Sequence, residues 1–264
     1  MGFHFNIGLK LHSTNVALIP DALRLKKEGF FDYIELYIIP DTYEETIDAW
    51  KNLDVPYVIH APHSFHGVNL AQADKWEINL KHFNETRQFA DDLGSDIIIV
   101  HGGNNGSFDE TLRQIELLKE QRIVLENKPK KGLYGEICVG WSPKEFHTAF
   151  HDGILNGTAL DFVHANCASN SMGIDVMELV SEFMIFKPKI FHLSDGEHSS
   201  EEDTHYNFGK GNLNLHQFVS VVPKEGLLTI ETPLDQSRRL KDFIHDVRYL
   251  HSIVEHSNSK LEST

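Results

Sequence analysis

Short apolar runs and longer amphipathic stretches alternate along this chain from end to end. Phe5 to Leu11, Tyr33 to Ile39, Tyr57 to Ala61, Asp96 to His101, Arg122 to Glu126, Ala159 to Ala165, Lys189 to Ser194 and Leu227 to Thr232 read as strands. Helical periodicity covers Val16 to Glu28, Tyr43 to Leu53, Asp74 to Leu93, Phe108 to Glu120, a stretch opened by the capping box Ser142-Pro143-Lys144-Glu145, Val176 to Phe186 and Leu215 to Val222. The unbroken run Ile97-Ile98-Ile99-Val100 suits a strand covered on both faces. Eight such βα units, joined by right-handed crossovers, predict an α/β protein with one closed parallel sheet, a single (β/α)₈ barrel. The barrel is expected over residues 1–256, closed by a helix from Ser237 to His256, with 257–264 as a disordered tail. No GxGxxG or Walker loop follows the first strand, which points away from a dinucleotide or P-loop fold.

The polar residues fall where such a barrel uses them. Nearly every apolar run ends in a residue able to bind a metal: Ile59-His60, Val100-His101, Leu125-Glu126, Leu160-Asp161, Phe191-His192 and Ile230-Glu231. Barrels of this class build their active sites at the C-terminal ends of the strands, so this pattern predicts a metalloenzyme. A carboxylate at the rim of a barrel core is costly to desolvate without a cation. Glu126 and Glu231 therefore call for a metal or for a lysine partner such as Lys128 or Lys210. Residues i and i+3 of a strand point to opposite faces, so in Asp161-Phe-Val-His164 both side chains reach one site only if His164 lies in a loop beyond the strand. Three histidines, His60, His63 and His66, compete for the third strand end, with His60 nearest to it. Gly102-Gly103 after His101, and Gly209-Lys210-Gly211 after Asp203-Thr-His205, are expected to let the backbone pass close to a ligand. The plain alternative for the latter segment is a polar loop with surface histidines.

Composition narrows the class. At 264 residues and 41% hydrophobic, the chain can bury a large core and is close to the roughly 250 residues typical of this barrel. Two cysteines are too few for a disulfide framework. The N-terminus lacks a signal-peptide pattern, and no apolar run approaches the roughly 20 residues that span a bilayer. A soluble, cytoplasmic protein is expected, with no membrane segment and no obligatory protein partner evident. A formal charge of -15 argues against a broad nucleic-acid-binding surface, although bound divalent ions would reverse the local sign of the potential.

Seven separated segments carry a family resemblance: His60-Ala-Pro with Asn69-Leu70-Ala71, Val100-His101-Gly-Gly, Leu125-Glu126-Asn127, Asp161-x-x-His164, His192-Leu-x-Asp195, Asp203-x-His205 with Gly209-x-Gly211, and Glu231-Thr-Pro. In order and spacing, over roughly residues 55 to 235, they resemble the endonuclease IV branch (AP endonuclease family 2) of the xylose isomerase-like barrel superfamily. The resemblance implies a zinc phosphodiesterase whose nine ligands hold three zinc ions. By that analogy His60 (or His63) and His101 hold one zinc, which Glu126 bridges to a second held by Asp161, His192 and Glu231. His164, Asp203 and His205 hold the third. Glu126 or Glu231 would orient or deprotonate the nucleophile, and His63, Phe65 and Asn69 would meet the substrate, abasic DNA or a phosphorylated sugar. The chain departs from the family in lacking clustered arginines, and Lys128 and Lys210 would instead bind a single sugar phosphate. Sugar isomerases and epimerases of the superfamily typically use only the set matching Glu126, Asp161, His192 and Glu231, with a single divalent ion, often Mn or Mg. The segment Ser64-Phe65-His66-Gly67-Val68 departs from the family pattern and puts Phe65 where endonuclease IV has a wedge into the duplex.

Overall fold

Period-two alternation puts two successive sets of inward-facing side chains on each strand, and these two layers organise the fold. The strands are β1 (Asn6–His12), β2 (Tyr33–Tyr37), β3 (Tyr57–His60), β4 (Ile98–His101), β5 (Ile123–Glu126), β6 (Thr158–Asp161), β7 (Ile190–Leu193) and β8 (Leu227–Ile230). In the computed structural model, which describes residues 3–261, they pair in parallel and in chain order, β8 closing on β1. Tyr33, Val58, Ile99, Val124, Ala159 and Ile190 pack together as an apolar plug inside the barrel. Two residues further along the same strands come Glu35, His60, His101, Glu126, Asp161 and His192, so the polar layer lies directly above the plug. On β1 the plug position is Gly8, where a Cβ would come within 2.5 Å of the Tyr33 ring, and the residue above it is Lys10.

The opposite faces of the strands, among them Leu9, Leu36, Ile59, Ile98, Leu125, Leu160 and Phe191, pack under the helices in one continuous outer core. The helices are α1 (Ile19–Lys27), α2 (Tyr43–Lys51), α3 (Trp76–Asp92), α4 (Phe108–Leu118), α5 (Pro143–His151), α6 (Phe162–Met172), α7 (Val176–Met184), α8 (Leu215–Val219) and α9 (Lys241–Leu261). The capping box at Ser142 forms as expected, Glu145 accepting from the Ser142 N–H at 3.0 Å. Among the described residues no helix is long and apolar enough to cross a membrane.

The order differs from expectation in one place that matters for the site. The stretch Ala159 to Ala165 is not one strand: β6 stops at Asp161, and α6 starts at the next residue. Asp161 is the N-cap of α6, its carboxylate accepting from the His164 N–H at 2.6 Å. An apolar run as short as Phe162-Val163 does not distinguish a strand from the buried first turn of a helix, and here the capping carboxylate decides it. α6 and α7 both lie between β6 and β7. α9 runs through the first residues expected in the tail, and residues 262–264 lie outside those described.

Candidate metal centre

The polar layer converges on Glu126, which ends β5 and is 1% exposed. Its Oε2 lies 3.3 Å from His60 Nε2, 3.2 Å from His101 Nε2 and 3.5 Å from His192 Nδ1, and its Oε1 lies 3.0 Å from His164 Nδ1. His192 Nδ1 is also 2.8 Å from Glu231 Oε2. On the β6 side, Asp203 bridges two rings, with Oδ2 3.0 Å from His164 Nε2 and Oδ1 2.9 Å from His205 Nε2. Three overlapping groups place one ligand atom per residue within 4.8 Å of one another: His60, His101 and Glu126; Glu126, Asp161 and His192; and Asp161, His164 and His205. Ligand atoms about 2.0–2.2 Å from a tetrahedral ion sit roughly 3.4 Å apart, near the 3.0–3.5 Å that separates Glu126 from its four imidazoles.

The imidazoles are held for that role. His60, His164 and His205 each donate Nδ1–H to a backbone carbonyl, of Ala61 at 2.9 Å, Asn127 at 2.8 Å and Glu231 at 2.7 Å, which turns Nε2 toward the centre. Fixing one ring nitrogen in this way sets the tautomer and orients the other as a ligand. Asn127 also accepts from the Asp161 N–H at 2.7 Å and donates to its carbonyl at 3.0 Å, locking β5 to β6 below the site.

The electrostatics call for cations. Burial opposes ionisation of Glu126 and Glu231, but His101 and His192 around the first, and Lys10 and His192 around the second, hold both well below the usual carboxylate range. Asp161 is the exception: burial pushes it up, and His164 and His205 offset that only in part. Burial, then the charge of Lys128, holds His101 down to about 3, so its ring is neutral and free to ligate. Asp161 Oδ2 is buried without a hydrogen-bond partner, and beside it His192 Nδ1 faces Glu231 Oε2 at 2.8 Å and Asp203 Oδ1 faces His205 Nε2 at 2.9 Å. A buried carboxylate oxygen left unpaired beside such facing donors and acceptors is what a metal would satisfy, and a histidine and carboxylate donor set suits zinc.

Every residue of the expected ligand set reaches this centre, but several neighbours do other work. The geometry brings His60, not His63, to Glu126; the His63 ring stacks on His101 with centroids 4.8 Å apart. His164 enters from the first turn of α6 rather than from a loop. The space beside the glycines is filled by protein: a Cβ at Gly103 would meet Asn69 Oδ1 at 2.1 Å, and one at Gly102 would meet Val139 at 3.0 Å. Asn69 itself ties the β3–α3 loop to the next one, donating Nδ2 to the Asn104 carbonyl at 2.9 Å and accepting from the Ala71 and Asn104 N–H groups at 3.1 Å. Gly209 and Gly211 turn their N–H groups to the buried Asp195 carboxylate at 2.9 and 3.0 Å, so this close approach shapes the loop carrying Asp203 and His205 rather than gripping a ligand.

Above the centre opens a cavity of about 670 Å³, lined by His63, Phe65, Asn69, Lys128 and Tyr134 together with the centre's own His101, His164, Asp203, His205 and Glu231. Lys128 Nζ is 3.2 Å from His164 Nε2. Lys210 is exposed and is not among the lining residues.

Sequence reasoning missed Lys10 and Glu35. Glu35 is fully buried, 2.8 Å from His192 Nε2, and Lys10 Nζ lies 3.1 Å from Glu35 Oε1 and 2.5 Å from Glu231 Oε1. The lysine partner considered for Glu231 thus exists, but it comes from β1. Looking only at strand ends hides both, because β1 and β2 continue two residues past the polar layer, to His12 and Tyr37. A charged residue inside the apolar runs Leu9-Lys10-Leu11 and Ile34-Glu35-Leu36 was the available signal.

Known proteins resemble this chain in sequence and in fold. The chain is 25% identical over 202 residues to "Probable endonuclease 4" of Mycobacterium tuberculosis, covering 72% of this chain and 78% of that protein. Endonuclease IV from Thermus thermophilus superposes with a TM-score of 0.69 at 19% identity, over 95% of this chain and 99% of the other. A D-tagatose 3-epimerase-like protein superposes with a TM-score of 0.72 at 20% identity, over 97% of this chain and 100% of the other. The family model of the xylose isomerase-like TIM barrel matches residues 23–253, and the chain belongs to that family.

Proposed function

We propose that this protein is a metal-dependent phosphoester hydrolase of the endonuclease IV type, with zinc as its metal. The observation that carries this is the His164, Asp203 and His205 cluster, which adds a further binding position to the set of Glu126, Asp161, His192 and Glu231. Zinc ions held there would lower the pKa of water to near neutrality and neutralise the charge that develops on a phosphoryl group. The chain's own residues do the rest. Glu126 and Glu231 keep their negative charge inside the barrel and orient the attacking water. Lys128, beside His164 at the cavity wall, meets a phosphate oxygen. His63 and Phe65 line the side of the cavity where the sugar or the flanking base rests, and Asn69 sets the shape of that wall.

Arg24, Arg87, Arg113, Arg122, Arg238 and Arg239 are each engaged with a carboxylate, and none lines the cavity. A phosphorylated sugar or an abasic nucleotide is the substrate class that fits. The second function, a sugar or sugar-phosphate isomerase or epimerase using one Mn or Mg ion, is favoured by the set Glu126, Asp161, His192 and Glu231 being complete by itself. There Glu126 and Glu231 would transfer the proton on opposite sides of the substrate carbon. An oligonucleotide with an abasic site, a sugar phosphomonoester and a panel of ketoses and their phosphates, assayed with protein purified without chelator, separate the two. Phosphoester cleavage that is lost in Asp203→Ala and His205→Ala, with loss of one metal, is expected. Epimerisation with one metal and full activity in those variants would overturn the hydrolase.

Metal uptake is expected to release protons. Burial lowers the pKa of His205, but Asp203 beside it outweighs burial and raises it to about 9. Glu35 and Glu231 raise His192, and Asp161 and Asp203 raise His164, likewise against burial. Raised values mean these rings are protonated near pH 7 before metal binds, so zinc must displace protons and its apparent affinity must climb as pH rises toward 9. Titration calorimetry in buffers of different ionisation heat checks this; a binding heat independent of the buffer would contradict it.

A further inference from the structure

β1 and β2 contribute a buried charge pair to the polar layer that supplies no ligand of its own. Glu35 Oε2 accepts from His192 Nε2 at 2.8 Å and from the Thr229 hydroxyl at 2.7 Å, and Oε1 lies 3.1 Å from Lys10 Nζ. Tyr33 supports this from the plug, its hydroxyl 2.8 Å from Thr229 Oγ1. Lys10 reaches on to Glu231, with Nζ 2.5 Å from Oε1. A carboxylate wholly inside a barrel survives only with such partners.

His192 is held the opposite way round from its neighbours. His60, His164 and His205 present Nε2 and anchor Nδ1 on backbone carbonyls. His192 has its Nε2 on the Glu35 carboxylate, so the nitrogen facing Glu231 Oε2 at 2.8 Å and Glu126 Oε2 at 3.5 Å is Nδ1. Because Nε2–H donates to Glu35, Nδ1 is the lone-pair nitrogen once the ring is neutral. A carboxylate acceptor makes an imidazole a stronger donor to metal and stops the ring from turning over. Glu231 is likewise divided: Oε1 belongs to Lys10, and only Oε2, which faces His192 Nδ1 at 2.8 Å, is left for the centre.

We propose that Glu35 and Lys10 are positioning residues: Glu35 fixes His192 as an Nδ1 ligand, and Lys10 holds Glu231 so that it offers the metal one oxygen. This rests on the metal-centre reading above. The test is zinc binding by chelator competition in the wild-type protein and in Glu35→Gln, joined to ¹⁵N-histidine NMR of the zinc-loaded proteins. In the wild type the His192 signals should show Nε2 protonated and Nδ1 bound to zinc. In Glu35→Gln the zinc at the His192 position should bind about 10- to 100-fold more weakly, with the ring signals losing that single pattern, while the zinc at His60 and His101 is unchanged. If Glu35→Gln does not fold, the double variant Lys10→Met with Glu35→Leu removes the buried pair together, and Glu231 Oε1 loses its lysine as well; the same weakening is expected. A wild-type protein that takes up zinc tightly, with either variant equally tight and His192 unaltered, overturns the positioning role alone. A wild-type protein that binds no zinc overturns the metal centre itself.

Discussion

Glu126→Gln is expected to abolish phosphoester cleavage, lowering kcat/KM by about a thousandfold or more, an increase of roughly 4 kcal/mol in the barrier. The magnitude follows from position. Glu126 faces His60, His101, His164 and His192 at 3.0–3.5 Å and takes part in two of the three candidate groups. An amide keeps the shape of the side chain but removes the charge that those groups share. Steady-state kinetics together with metal analysis checks the prediction, and weaker binding at two positions should accompany the lost rate. A Gln variant with wild-type kcat/KM would remove Glu126 from the centre.

Asp195→Ala is expected to be the most damaging change outside the ligand set, costing about 3 kcal/mol of stability. Asp195 is buried after β7, and its carboxylate accepts from the N–H groups of Gly196 at 2.9 Å, Gly209 at 2.9 Å, Gly211 at 3.0 Å and Leu213 at 3.3 Å. Its backbone pairs with Tyr206, one residue after His205. Alanine would leave several buried donors unpaired and free the segment that carries Asp203 and His205. Urea denaturation should show the lost stability, and metal analysis should show the loss of the position held by His164, Asp203 and His205 with the others retained. Unchanged binding there would mean that the loop is held by something other than Asp195.

The alternation of strands and helices was legible because each βα unit carries its own periodicity, and the strand-end ligands because a buried carboxylate or imidazole stands out against an apolar run. His164 was found for the right residue but on the wrong element, since a capping Asp161 reads as a strand end until its side chain is seen bonding the His164 N–H. Lys10 and Glu35 were not found because they lie inside their strands rather than at the ends. Their place in the ring follows from barrel register, Lys10 opposite Glu35 and His192 opposite Thr229, which no local pattern carries. The glycines were identified as sites of close approach, and they are, but what approaches is Asn69, Val139 or Asp195. Sequence shows that a Cβ is excluded, not which atom excludes it.

The central claim is that residues from five strands, the position after β8, the first turn of α6 and the loop carrying Asp203 and His205 form one multinuclear cation site. Crystals of protein purified without chelator, measured on both sides of the zinc absorption edge, test it most directly. About three anomalous peaks are expected: one between His60, His101 and Glu126, one between Glu126, Asp161, His192 and Glu231, and one between His164, Asp203 and His205. No peak within the ring, with these side chains still facing one another, would contradict it.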